Sequence, residues 1–217
     1  MNQQSGPKDP LVLSYLGMRK AVGIIACALP FVLVIGAGLL QGLGIQYSIS
    51  HYYYTDMRGV FVGSLCAMGV FLGSTRGYDR RDEIAGWLAC AFAIGVALFP
   101  EAPYTSATSQ EKLIGAVHLT FAALLFLTLA YFCLALFTQT DPGKNPTLQK
   151  LKRNTVYRIC GYAILVCIVL IVIVVLPPAK AVVARFTPVF WLESTAVVAF
   201  GVSWLTKGET ILKDEGV

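Results

Sequence analysis

Two ionisable side chains stand out inside long apolar runs of this sequence, His118 and Glu193, where an uncompensated charge is costly and usually faces a partner or a cavity. An imidazole beside a carboxylate can serve as a general base, with Ser48, Ser50 or Ser194 as an acyl acceptor. His118 and Glu193 together with His51 and Asp56 are also the donor types that bind zinc and activate water. Arg58 offers a planar fork for phosphate, and Ser50, Tyr52, Tyr53 and Glu101 add hydrogen-bonding groups nearby. Spacing specifies neither chemistry, because there is no His-x-x-x-His pair and no G-x-S-x-G elbow. Haem held between His51 and His118 is disfavoured, since one histidine is on a loop and there is no second pair.

Plainer roles compete with each of these. His118 and Glu193 could form one interhelical hydrogen bond that fixes two helices, and this reading weighs evenly against a functional one. For Tyr52, Tyr53 and Tyr54 an interfacial aromatic belt is favoured over a binding role. Arg158 reads as a snorkelling residue, and the segment from Lys144 to Arg153 as a loop that sets topology rather than a lipid-binding patch.

The elements that must position these residues are transmembrane helices. With 56% hydrophobic and 13% charged residues and a mean hydropathy of +0.68, the chain cannot present an ordinary water-facing surface. Apolar runs predict an all-α integral membrane bundle of six spans, at about 20–42, 59–76, 83–100, 112–138, 155–177 and 187–206. Start signals agree: Asp82-Glu83 before the third run, the capping box Thr108-x-x-Glu111 before the fourth, and Thr187-Pro188 before the sixth. Pro100 and Pro177-Pro178 mark ends. No small-residue cleavage site precedes the first run, so that helix is expected to persist.

The positive charges are lopsided. Thirteen fall on one side of such a bundle (Lys8, Arg19, Lys20, Arg76, Arg80, Arg81, Lys144, Lys150, Lys152, Arg153, Arg158, Lys207, Lys213) and four on the other (Arg58, Lys112, Lys180, Arg185). Both termini are therefore expected in the cytoplasm, and His51, Asp56, Glu101, His118 and Glu193 at the outer ends of the helices. The net charge of +5 forms no basic stripe with interleaved aromatics, which argues against nucleic acid as a partner. Six cysteines lie within apolar runs without a C-x-x-C pair, which reads as packing and argues against a thiol-redox enzyme. Small residues at Gly38/Gly42, Gly69/Gly73 and Ala89/Ala93 suit close helix contact, within the bundle or in a homodimer.

Tyr47-Ser48-Ile49-Ser50-His51 with Asp56 and Val60-Phe61, His118 with Phe121 and Tyr131, and Trp191-Leu192-Glu193 resemble the DRAM-like superfamily of six-helix membrane proteins, which includes proteins that remodel GPI-anchor lipids. The resemblance implies the topology, an important first outer loop and an association with membrane lipid. It departs at His51, where an Ile-Ser-Asp start is usual, and at Tyr52-Tyr53-Tyr54-Thr55, which replaces a proline-rich continuation. The leading expectation is an outer pocket that binds or remodels membrane lipid by acyl transfer or hydrolysis, with His118, Glu193, His51 and Asp56 catalytic or metal-binding. The alternatives are a non-catalytic scaffold or regulator, and a small-solute or proton transporter; the latter is disfavoured because the ionisable residues sit toward one face.

Overall fold

A computed structural model describes residues 10–75, 79–103, 106–140, 143, 145–177 and 184–212. Lys8, Arg76, Lys144, Pro178, Lys180 and Lys213 of the preceding analysis lie outside the described residues. Among those described the chain is all helical: α1 (Pro10–Gln41), α2 (Arg58–Gly73), α3 (Arg80–Leu98), α4 (Ser109–Tyr131), α5 (Leu148–Val175) and α6 (Pro188–Lys207), with a single-turn 3-10 helix at Ser50–Tyr54.

Each apolar run has become one helix, and local chemistry sets the ends. Thr108 and Glu111 form the expected reciprocal cap of α4. At α3 the cap is Asp79, whose side chain accepts from the Arg81 and Asp82 amides. The helix thus begins three residues before the predicted run, at a polar turn that hydropathy cannot register. Likewise α5 starts at Leu148, where Thr147 accepts from the Lys150 amide. Residues from Leu148 to Arg153 are consequently helix, and the expected loop there is shorter. α4 ends in a π turn, Phe132–Leu136, closed by the Phe137 amide on the Phe132 carbonyl at 2.8 Å.

The six helices pack in chain order as a ring, each on the next, with α6 returning to α1. Close approach depends on glycine. A Cβ on Gly201 would stand 2.9 Å from the Gly23 carbonyl oxygen, and one on Gly86 2.6 Å from that of Leu72, so α1/α6 and α2/α3 touch backbone to backbone. Gly69, Gly73, Ala89 and Ala93 lie in this α2/α3 seam, with Gly69 facing Ala93 and Gly73 facing Cys90. The first small pair does something else: Gly38 is exposed, and Gly42 takes φ +65° just beyond α1, the left-handed position that glycine tolerates.

Large apolar side chains also cover the outside, such as Leu39, which is 81% exposed, and Phe31, Ile35, Val166 and Val169. An apolar exterior around a packed interior suits lipid rather than water. Among the described residues four helices are long and apolar enough to cross a membrane: α1 from Tyr15, α4 with its π turn, α5 and α6. α2 is apolar but shorter, at 16 residues. The chain is accordingly a membrane protein with several membrane-spanning helices.

Candidate functional site

One end of the ring is closed by the 3-10 segment between α1 and α2, and the sequence explains why it holds there. Ser48, wholly buried, accepts the His51 amide at 2.9 Å, a local side-chain-to-backbone bond across the start of the short helix. Its hydroxyl donates to Glu101 Oε2 at 2.5 Å, tying the segment to the chain after α3. The Ile49 amide donates to Glu193 Oε2 at 2.7 Å, tying it to α6. The Tyr47 carbonyl takes the Phe190 amide at 3.0 Å, an amide in the first turn of α6 that has no partner within that helix. That turn starts under strain, with Thr187 at φ +47° before Pro188.

The expected residues divide into two groups. Ser50, Tyr52, Tyr53, Glu101 and Glu193 gather on or against this segment. Tyr52 is fully buried with its ring centroid 6.2 Å from that of Phe190, so it is core rather than interfacial belt. Tyr54, on the surface, donates to the Glu101 carbonyl at 2.6 Å. Burial raises both tyrosine hydroxyls above their usual range. Arg58 hydrogen-bonds the Tyr53 hydroxyl and stacks 4.0 Å from its ring centroid, which engages the guanidinium expected to meet phosphate.

His118 stands apart. Its Nδ1 lies 2.6 Å from the carbonyl oxygen of Phe99, the residue that ends α3, and the ring is only 2% exposed. A carbonyl can only accept, so Nδ1 carries the proton and the imidazole caps the α3 C-terminus. The interhelical hydrogen bond weighed for His118 and Glu193 is not formed, and each has another partner. His51 keeps a buried Nδ1 without a hydrogen bond, and burial lowers its pKa below the usual imidazole value. Asp56 is exposed, and its amide donates to Gln41. His51, Asp56, His118 and Glu193 do not assemble as the expected zinc set: among the described residues no three His, Cys, Asp or Glu side chains gather to hold a metal ion. His118 and Glu193 turn instead to the Phe99 carbonyl and the Ile49 amide. Ser48, meanwhile, is committed to the His51 amide and to Glu101 and is closed to substrate.

No known family, curated protein or solved structure matches this chain.

Sequence reasoning missed Ser48 as the staple and Phe99 and Gln41 as partners. The Ser48-x-x-His51 spacing was a signal for the first; a backbone carbonyl such as that of Phe99 leaves none.

Beneath the segment the ring encloses a narrow apolar cavity of about 60 Å³. Leu29, Phe61, Leu65, Met68, Val96, Leu125 and Phe200 line it, and Ile49, Ser50 and Glu193 stand at its polar end. Glu193 is half-buried and borders this cavity. A carboxylate at the end of an apolar chamber can accept a hydrogen bond from, or pair with a cation on, an otherwise apolar molecule.

Proposed function

We propose that the chain is a six-span membrane protein with both termini in the cytoplasm, and that it binds a membrane lipid at the outer end of its helical ring. In this reading α2 and α3 are short spans, about 24 Å and 29 Å long at 1.5 Å per residue, shielded by their longer neighbours. Glu193 receives the polar end of the lipid, and the apolar chamber beneath it takes part of the chain. The juxtaposition of Glu193 with that chamber carries the proposal, and the lipid association implied by the DRAM-like resemblance points the same way. Binding is favoured over acyl transfer or hydrolysis, because His118 is turned to a backbone carbonyl and Ser48 is sealed.

The experiment is native mass spectrometry of the full chain released from lipid nanodiscs. Wild type retains lipid, and Glu193→Ala retains markedly less while keeping its helical circular dichroism. Equal retention by a folded Glu193→Ala would refute the proposal.

A second reading has its own support. The bonds from Ser48, Ile49 and His118 each join separate elements, as expected of a scaffold whose polar groups lock the bundle. It predicts equal lipid retention and a lower thermal midpoint in Glu193→Ala.

A further inference from the structure

On the exterior of the ring, α3 and α4 leave between them a groove of about 430 Å³ that plays no part in the Glu193 reading. Ala85 is buried and short, and the gap opens over it. Ile84 and Leu88 from α3 and Leu124 and Leu127 from α4 stand along the groove, and all four are exposed. Thr128 lines it too, but its hydroxyl turns back to the Leu124 carbonyl at 2.7 Å and adds no free polar group. Along α3 the groove runs from Arg81 to Phe92, about 16 Å at 1.5 Å per residue. Its walls are therefore apolar over most of their length and open toward the hydrocarbon of a membrane.

Two polar side chains stand at one end of it, the end of the ring opposite Glu193. Arg81 comes from the first turn of α3, and Tyr131 is the last residue of α4. Both are exposed, and neither side chain is spent within the protein. Asp79 takes the main-chain amide of Arg81 at 2.8 Å, and among the described residues the guanidinium and the Tyr131 hydroxyl have no hydrogen bond or ion pair. Arg58, by contrast, is bonded to and stacked on Tyr53. A guanidinium fork and a phenol hydroxyl are donors that suit phosphate oxygens. Basic pockets between membrane helices are where acidic headgroups are held. No carboxylate lines the groove, so a headgroup ammonium has no acceptor there, and the charge of the site favours an acidic head over a zwitterionic one.

We propose that the α3/α4 groove binds an acidic phospholipid, with its phosphate on Arg81 and Tyr131 and one acyl chain laid along Leu88, Leu127 and Phe92. An anion and a hydrocarbon chain on one molecule fill both parts of the groove at once. The site is separate from the chamber beneath Glu193 and stands whether or not that chamber takes lipid.

The full chain is released from nanodiscs made of phosphatidylcholine and phosphatidylglycerol in equal amounts, and the retained lipids are counted by native mass spectrometry. Wild type is expected to retain phosphatidylglycerol in excess. Arg81→Gln should cut that excess about tenfold, the effect of losing one charge-assisted hydrogen bond. Arg80→Gln removes a neighbouring exposed charge that does not line the groove, and it should leave the excess in place. Leu88→Trp keeps the cation but fills the groove, and it should lower retention as Arg81→Gln does. Arg81 and Leu88 are both exposed, so each variant should keep its helical circular dichroism, and the two probe head and chain independently. Equal retention of the two lipids by wild type, the same loss in Arg80→Gln as in Arg81→Gln, or undiminished retention in Leu88→Trp overturns the proposal. A two-chain mass that Leu88→Trp abolishes, without enrichment of phosphatidylglycerol, overturns it in favour of a second copy of the chain.

Discussion

Replacing Glu193 with alanine removes the acceptor that holds the Ile49 amide at 2.7 Å, on a residue only 5% exposed. A buried amide left without a partner costs about 1–3 kcal/mol. At about 2–4 °C per kcal/mol for a chain of this size, the midpoint should fall by roughly 4–8 °C for a loss near 2 kcal/mol. The same loss should speed hydrogen exchange at the Ile49 amide by roughly 30-fold, because the segment over the ring is released locally. Glu193→Gln keeps an acceptor oxygen of the same reach, so it should lose about half as much and leave exchange at Ile49 within a few-fold of wild type. Differential scanning fluorimetry in detergent gives the midpoints, and exchange resolved by fragmentation over residues 47–52 gives the local effect. Equal losses in the alanine and glutamine variants, or unchanged exchange at Ile49, would refute the reasoning.

Three further outcomes follow from the packing. His118→Asn keeps a donor toward the Phe99 carbonyl and should cost less than His118→Ala, which should lose about 2–3 kcal/mol by thermal unfolding, and neither should change lipid retention. Gly86→Ala pushes a Cβ onto the Leu72 carbonyl at 2.6 Å and should destabilise by about 1–3 kcal/mol, whereas Gly63→Ala meets nothing within 4 Å and should be neutral or stabilising by up to about 1 kcal/mol. Because burial lowers the His51 pKa, the unfolded chain binds its proton first as acid is added, so this contribution is complete above about pH 6.5 and is lost as pH falls from there toward the folded value. In His51→Gln the pH dependence of the midpoint below 6.5 should flatten correspondingly.

The helices were legible because each is an apolar run, with capping side chains at the starts of α3, α4 and α5, and hydropathy and caps are local properties. Their early starts at Arg80 and Leu148 were less so, because Asp79 and Thr147 extend a helix through residues that look like loop. The ring order was not legible: Gly23 meeting Gly201 across α1 and α6 has no four-residue spacing to announce it. At the end of the ring that carries Glu193, topology alone brought Glu101, Glu193 and the tyrosine segment to one place. It could not give the pairing, since the partners of Glu193 and His118 are backbone groups of Ile49 and Phe99, and every residue carries those. Two side chains in adjacent turns of different helices can therefore be assigned to each other from sequence and still turn to neighbours closer at hand.

The central claim is that lipid enters the ring beneath Glu193, and photolabelling with a diazirine-bearing phospholipid tests it most directly. After irradiation in nanodiscs and peptide mapping, label is expected on the inward-facing Phe61, Leu65, Met68 and Leu125, and to be depleted there in Glu193→Ala. Label confined to outward residues such as Ile35, Leu39 and Val169, unchanged by the substitution, would contradict it.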